Sequence, residues 1–157
     1  MDLKKLNREV HNRLSIYPNH NRHLVEIRTS NIPDAGLGLF AKYDIPKDTV
    51  IDYYYGKKLS KKEFNQLHDY ECMYIMEINK NHYIDGETEK NFISYCNDAR
   101  GLTRVPGVRN NCYFALTEDG KNMALIASRN IKADEELFVF YGSSYWNVVK
   151  RLKAAQI

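Results

Sequence analysis

The first fourteen positions of the chain carry hydrophobic residues at helical spacing among charged ones. Apolar side chains that recur every three or four positions lie on one face of a helix. The pattern predicts an amphipathic helix over residues 2–14 that packs against the rest of the chain, with binding of a partner as the alternative. Its apolar positions are Leu3, Leu6, Val10 and Leu14. The polar residues 19–23 then predict a connector.

After this connector, the apolar positions fall into short runs, which are typical of β-strands. Polar turn residues at 79–81 and at 118–121 each separate two such runs, and each arrangement predicts a β-hairpin. The predicted strands cover residues 23–29, 39–43, 49–55, 72–78, 82–85, 111–116, 123–128 and 137–141.

Two further segments have helical patterns. Ser60 and Glu63 have the spacing of a capping box, in which each side chain bonds the backbone N–H of the other residue, so a short helix is predicted over 60–67. Residues 146–155 predict a closing helix. Its apolar face carries Val148, Val149 and Leu152. Many short strands with few helices disfavour a doubly wound nucleotide-binding fold, because its parallel strands need helical crossovers.

The composition is that of one soluble globular domain. A chain of 157 residues with 43% hydrophobic and 27% charged positions is ordinary for this class. The net charge of +3 is small and the basic residues are scattered, so we expect no direct nucleic-acid binding. The N-terminal residues are polar and charged, and no apolar run approaches the length of a membrane span.

The cysteines and histidines predict neither a disulfide framework nor a metal site. Cys72, Cys96 and Cys112 are an odd number, lie far apart and form no Cys-x-x-Cys pair. The five histidines show no ligand spacing. We therefore expect a soluble intracellular protein in a reducing compartment.

Three short blocks carry candidate chemistry. In the first, Gly36-Leu37-Gly38, two glycines one residue apart permit a tight turn and a close approach to a ligand, although a hairpin turn explains them equally well. The second, Ser-Tyr-Cys-Asn-Asp-Ala over residues 94–99, contains Asn97, whose amide both donates and accepts hydrogen bonds. The third, Glu-Glu-Leu-Phe-Val-Phe-Tyr-Gly over residues 135–142, ends on Tyr141. No single block decides the function.

In this order and spacing, the three blocks resemble the SET-domain protein lysine methyltransferases over residues 23–148. The resemblance implies a mainly β fold with short helices, several small curved sheets and a C-terminal pseudoknot. It divides the chain into an N-terminal helix and connector (1–22), a SET-like catalytic domain (23–148) and a C-terminal helix (149–157). The Cys-rich segments that flank the domain in many members have no counterpart here. The closing helix, or a second copy in a homodimer, would then complete the lysine channel.

The resemblance also implies a methyl donor, S-adenosylmethionine, and a set of site residues. Tyr141 is the expected catalytic residue. The expected donor-binding residues are Gly36, Leu37, Gly38, Tyr74, Asn97, Asp98 and Tyr141. The expected residues of the substrate channel are Tyr54, Tyr74, Val139, Tyr141 and Trp146. Asn111 is expected to bond the crossing backbone as a structural residue.

The sequence departs from the family pattern at several positions. Asp98 stands where histidine is usual, Lys90 stands for glycine, Ser94 for arginine and Phe140 for aspartate. Val139 stands where the family often has phenylalanine or tyrosine, and its smaller side chain could admit a more methylated amine.

The expected function is methylation of a protein lysine, with a histone tail as the leading substrate and a ribosomal or other basic protein next. The nucleus or cytoplasm of a host cell is the expected location, and a small domain of this kind suits a virus or a bacterium as well as a eukaryote. One alternative is a SET-like module that has lost activity and binds a peptide or protein partner. A nucleic-acid binder is a weaker alternative, since it rests only on the charge and the aromatic residues.

Overall fold

A computed structural model describes residues 1–87, 91–101 and 105–155 of the chain. Within these residues, nine short strands form three antiparallel sheets of three strands each. The first sheet has the order β1 (Val25–Thr29), β2 (Leu37–Ala41), β9 (Glu136–Leu137). The second has the order β3 (Val50–Tyr53), β8 (Met123–Ala127), β7 (Cys112–Leu116). The third has the order β4 (Lys57–Ser60), β6 (His82–Asp85), β5 (Ile75–Asn79).

The predicted mainly β class and both predicted hairpins are confirmed, since β5 pairs with β6 and β7 pairs with β8. β4 was not predicted, because of its four residues only Leu59 is buried and the pattern gives no alternation of apolar residues. β9 is much shorter than the predicted strand over 137–141, because the chain leaves the first sheet after Leu137 and pairs with other segments.

Three α-helices lie among the described residues: α1 (Leu3–His11), α2 (Lys61–Asn65) and α3 (Ser143–Ala154). The predicted capping box of α2 is present, with Ser60 and Glu63 bonded to each other's backbone N–H. α3 begins three residues before its predicted start. None of the helices in the described ranges has the length and apolar character needed to cross a bilayer.

The N-terminal helix packs against the first sheet, as predicted. Val10 is buried, and the Asn7 side chain both donates to the Ile27 carbonyl and accepts from its N–H, at 3.0 and 2.6 Å. The helix ends at His11, so the prediction that Leu14 lies on its packed face is wrong. Leu14 is 92% exposed, because the chain has already turned into the connector.

A buried ion pair ties this connector to β3. The Arg22 Nε donates to both carboxylate oxygens of Asp52, at 2.8 and 2.9 Å, and both side chains are at most 1% exposed. The remaining guanidinium N–H groups donate to the Arg13 carbonyl at 2.5 Å and to the Tyr55 hydroxyl. Because a buried charge is tolerated only when it is paired and hydrogen-bonded, this arrangement fixes the path of the connector.

The segment after β9 threads between two other parts of the chain, as the predicted pseudoknot requires. Val139 N–H donates to the Asn97 carbonyl, and Cys112 N–H donates to the Phe138 carbonyl, both at 2.9 Å. The Asn111 side chain bridges the same segment, since it donates to the Glu136 carbonyl at 3.0 Å and accepts from Phe138 N–H at 2.8 Å. This agrees with the structural role predicted for Asn111.

Candidate active site

One cavity of about 740 Å³ brings together most of the predicted site residues. Pockets of about 300–1,000 Å³ are the size that holds small-molecule ligands. The cavity lies between the loop before β2, the segment around Asn97, the residues that lead into β5, and α3. The predicted residues in its wall are Leu37, Tyr54, Tyr74, Asn97, Asp98, Tyr141 and Trp146.

The two glycines of the loop are not in the wall, and each has a local reason to be glycine. Gly36 has a backbone φ of 71°, which residues with a side chain rarely adopt. At Gly38, a Cβ atom would collide with the Glu136 carboxylate. The loop presents Leu37 and the residues before it, from Ile32 to Ala35, to the cavity. Donor contacts at the two glycines therefore stay a prediction.

Val139 lies in the hydrophobic core, 1% exposed, and not in the cavity wall. The structure therefore does not place Val139 with the other predicted residues of the substrate channel, and its predicted effect on the number of methyl groups stays a prediction. Phe114 of β7 lines the cavity instead and was not singled out from the sequence. The alternation of β7 could have indicated it, because buried Cys112 and Phe114 lie on the same face of the strand.

Tyr141 occupies the wall as a protonated phenol. Its O–H donates to the Cys96 carbonyl at 2.5 Å, and its ring stacks on Trp146 with the ring centres 5.8 Å apart. Burial raises the pKa of Tyr141 well above its usual value of 10.0. Because its proton is committed to a carbonyl, the phenol oxygen meets a ligand as a hydrogen-bond acceptor.

Tyr54 is a second protonated phenol in the same wall. Its O–H donates to the Tyr74 carbonyl at 2.5 Å, and burial, with the Asp85 charge nearby, raises its pKa. A Cβ at Gly86 would lie 2.7 Å from the Tyr54 hydroxyl, so glycine is needed there. Neither phenol is poised as a base at neutral pH.

These raised pKa values predict a loss of stability in alkali. The folded state holds the tyrosine protons more tightly than the unfolded state, whose tyrosines lose their protons near pH 10.0. The contribution of these tyrosines to the free energy of unfolding is therefore complete below pH 10.0 and is lost as the pH rises above that value. We expect the free energy of unfolding, measured in urea between pH 7 and 11, to fall less steeply above pH 10 in Tyr141→Phe than in the parent. Tyr113→Phe, at an exposed position of β7, is the control. Parallel curves for Tyr141→Phe and the parent would contradict the assignment.

Asn97 is held by the loop and by a buried carboxylate. Its Nδ2 donates to the Leu37 carbonyl at 3.0 Å and lies 3.3 Å from both Ser30 Oγ and Glu136 Oε2. These contacts use the amide N–H groups, so the amide presents its carbonyl oxygen as the acceptor for a ligand.

Glu136 was not singled out from the sequence, yet it organises this side of the cavity. It is 4% exposed and accepts from Ser30 Oγ and from Asn31 N–H, both at 2.7 Å, besides Asn97. The only sequence signal was the Glu-Glu pair, whose first member, Glu135, pairs with Arg129 at a half-exposed position. Glu135 and Glu136 are adjacent in the sequence, yet one is half-exposed and the other is buried. This difference comes from tertiary packing and not from the local sequence.

α3 supplies one side of the wall. Tyr145, Trp146, Val149 and Lys153 line the cavity at the spacing of one helical face. From the sequence, only Trp146 was predicted as a site residue and Val149 was placed on the apolar face of the closing helix, although the same periodicity could have identified Tyr145 and Lys153. Tyr145 meets the rings of Tyr141 and Trp146 edge-on, at 4.7 and 5.1 Å.

The departures from the family pattern have defined positions. Ser94 lines the cavity and accepts from Asn91 N–H at 3.1 Å. Phe140 is 50% exposed, with the Arg100 guanidinium over its ring. The Asp98 side chain lines the cavity but accepts four hydrogen bonds from the protein itself. Lys90 lies outside the described residues.

In the described part of the chain, no group of three His, Cys, Asp or Glu side chains is placed to hold a metal ion.

Comparison with known proteins matches these features to one family. A family model, the SET domain, matches residues 36–142, which is more than half of the chain. A nematode protein named histone-lysine N-methyltransferase set-17 (Caenorhabditis elegans) is 32% identical over 126 residues, which cover 79% of this chain and 43% of that protein. A fungal histone-lysine N-methyltransferase, H3 lysine-36 specific (Mycosarcoma maydis), is 31% identical over 78% of this chain and 13% of its own length.

A solved structure has the same fold. The Chaetomium thermophilum PRC2 complex in an autoinhibited conformation, bound to S-adenosylmethionine, contains a chain with a TM-score of 0.63 and 22% identity. The match covers 84% of this chain and 17% of that one. The present chain thus spans less than half the length of each of these relatives.

Proposed function

This chain belongs to the SET domain family, and we propose that it is a protein-lysine N-methyltransferase that uses S-adenosylmethionine, with a histone as its first candidate substrate. The observation that carries the proposal is the convergence of Leu37, Asn97 and Tyr141 from three separate segments on one cavity. The names of the two curated relatives support lysine methylation and a histone substrate.

The chemistry of the cavity fits this donor. S-adenosylmethionine, when bound, supplies a methyl group on a positively charged sulfonium. The carbonyl oxygen of Asn97 would accept a hydrogen bond from the amino group of S-adenosylmethionine. Leu37 and the loop before it would cover the apolar parts of the donor. The cavity is large enough for a ligand of this size.

The reacting lysine must lose its proton first. At pH 7 this costs about 4–5 kcal/mol for an amine whose pKa is about 10.4. A wall rich in aromatic and aliphatic side chains lowers that cost, because desolvation disfavours the ammonium form. Water can then accept the proton, so the pathway needs no strong base from the protein.

Tyr141 would align the neutral amine. With its O–H donated to the Cys96 carbonyl, its oxygen accepts an N–H of the amine and turns the lone pair toward the methyl group. Positioning of this kind accounts for a large part of a rate enhancement. Tyr54, Tyr74 and Trp146 would enclose the lysine stem as the channel.

The function is tested with labelled donor and a panel of histones and other basic proteins, followed by mass spectrometry of the modified site. We expect label on lysine side chains of at least one histone. Donor binding measured by calorimetry without transfer to any protein in the panel would instead favour a module that has lost activity and binds a peptide.

Asn97→Ala should weaken donor binding. The variant loses a hydrogen bond to a charged amine, which is worth about 1.5–3 kcal/mol, so we expect the dissociation constant to rise by about 10- to 150-fold. Calorimetry with S-adenosylmethionine measures it. Asn79→Ala, at the exposed last position of β5, is the control. An unchanged dissociation constant in Asn97→Ala would remove this residue from the donor site.

A further inference from the structure

Asp98 lies where the reactive tyrosine and the C-terminal helix meet. Its side chain is buried, and each carboxylate oxygen accepts two hydrogen bonds. Oδ1 accepts from Arg100 N–H at 2.8 Å and from Asn110 Nδ2 at 3.1 Å. Oδ2 accepts from the backbone N–H of Tyr141 at 3.0 Å and from the indole Nε1 of Trp146 at 2.9 Å.

We propose that Asp98 is a positioning residue that couples the seating of α3 to the placement of Tyr141. Asp98 Oδ2 accepts one hydrogen bond from the backbone of Tyr141 and one from Trp146 of α3. The helix therefore cannot leave the cavity wall without weakening the contact that holds the Tyr141 backbone. The inference rests on the proposed function in one respect, since it takes Tyr141 as the reactive tyrosine.

The four donors explain why aspartate suits this position. An ionised carboxylate is an acceptor only, with lone pairs for all four donors. A neutral imidazole offers one acceptor nitrogen, and a carboxamide offers one acceptor oxygen. The histidine that is usual here in the family could not accept from all four donors. The aspartate at residue 98 is therefore linked to the position of the C-terminal helix in this chain.

The start of α3 has no side-chain cap of its own. Its N-cap residue, Gly142, has no side chain to accept from the first N–H groups, and the first turn contains no acidic residue. The negative charge of Asp98 lies at this end of the helix, where the helix dipole favours an anion. On the other side, a Cβ at Gly101 would lie 2.5 Å from the Trp146 ring, so the glycine makes room for the indole.

The first test replaces Asp98 with asparagine and follows amide hydrogen exchange by NMR. We expect exchange of the Tyr141 amide and of the α3 amides to accelerate together by about tenfold or more, while the β7–β8 hairpin stays protected. Emission of Trp146, the single tryptophan of the chain, should shift toward that of exposed indole. With a methylatable substrate, kcat should fall about tenfold or more, because a misplaced tyrosine aligns the amine poorly.

A second variant keeps the inference testable if Asp98→Asn fails to fold. Trp146→Phe retains an aromatic ring and removes only the indole N–H and the second ring. It should accelerate exchange at the Tyr141 amide, and a double variant should accelerate exchange of that amide no more than the more affected single variant, because both changes break the contact between Asp98 and Trp146. Arg151→Gln, which removes the half-exposed pair with Asp69 near the other end of α3, is the control and should leave kcat unchanged.

Two results would overturn the inference. One is faster exchange in α3 with the Tyr141 amide and kcat unchanged; the other is additive acceleration of Tyr141 amide exchange in the double variant. If the parent transfers no methyl group to any protein, the proposed function fails, but coupled exchange of α3 and Tyr141 would still support the positioning role of Asp98.

Discussion

Replacing Tyr141 with phenylalanine is expected to lower kcat by about 100-fold or more and to leave the donor dissociation constant nearly unchanged. The variant keeps the ring that stacks on Trp146 and removes the oxygen that accepts the amine N–H. The amine then enters the cavity without a group to orient its lone pair. Steady-state methylation of the best substrate in the panel, at saturating substrate and donor, measures kcat, and calorimetry measures donor binding.

The control must separate lost alignment from lost folding. Removing the Tyr141 hydroxyl leaves the Cys96 carbonyl without this donor, which costs about 1–3 kcal/mol of stability. Circular dichroism therefore checks that the variant is folded at the assay temperature, and Tyr113→Phe on the exposed side of β7 is the matched substitution. Equal turnover in Tyr141→Phe and the parent would refute the catalytic assignment.

Replacing Asp52 with asparagine is expected to lower the free energy of unfolding by about 3–5 kcal/mol. Asparagine has nearly the same shape but no charge, so the buried Arg22 guanidinium would lose its counter-charge. An unpaired charge in the interior is far more costly than the pair itself is stabilising. Because the pair holds the connector against β3, we also expect α1 to loosen from the first sheet.

Urea unfolding followed by fluorescence and circular dichroism measures this loss. Asp69→Asn provides the matched control, since it removes the half-exposed pair with Arg151, which solvent screens, and it should have a much smaller effect. If Asp52→Asn unfolds at the same urea concentration as the parent, the buried pair does not hold the connector.

The elements that could be predicted from sequence are those whose structure depends on near neighbours. The two hairpins follow from polar turns between apolar runs, and the α2 start follows from Ser60 and Glu63. The three motif blocks predicted the family and placed Leu37, Asn97 and Tyr141 together, because the blocks carry the residues that line the cavity.

The errors concern residues whose surroundings come from distant segments. Leu14 continues the helical pattern of Leu6 and Val10, yet it is exposed because the helix ends at His11. The family resemblance placed Val139 in the substrate channel, but the threaded segment buries it in the core, outside the cavity wall.

By itself, the sequence of this protein determined the mainly β class, the local turns and caps, and the family to which the chain belongs. Tertiary structure alone decided that Glu136 is buried behind Asn97 while Glu135 is not, and that the Asp98 carboxylate serves Tyr141 and Trp146. The physical reason is that hydrogen-bond partners and burial depend on which segments cross in space. Asp98 and Trp146 meet only because the end of the chain threads back past the middle.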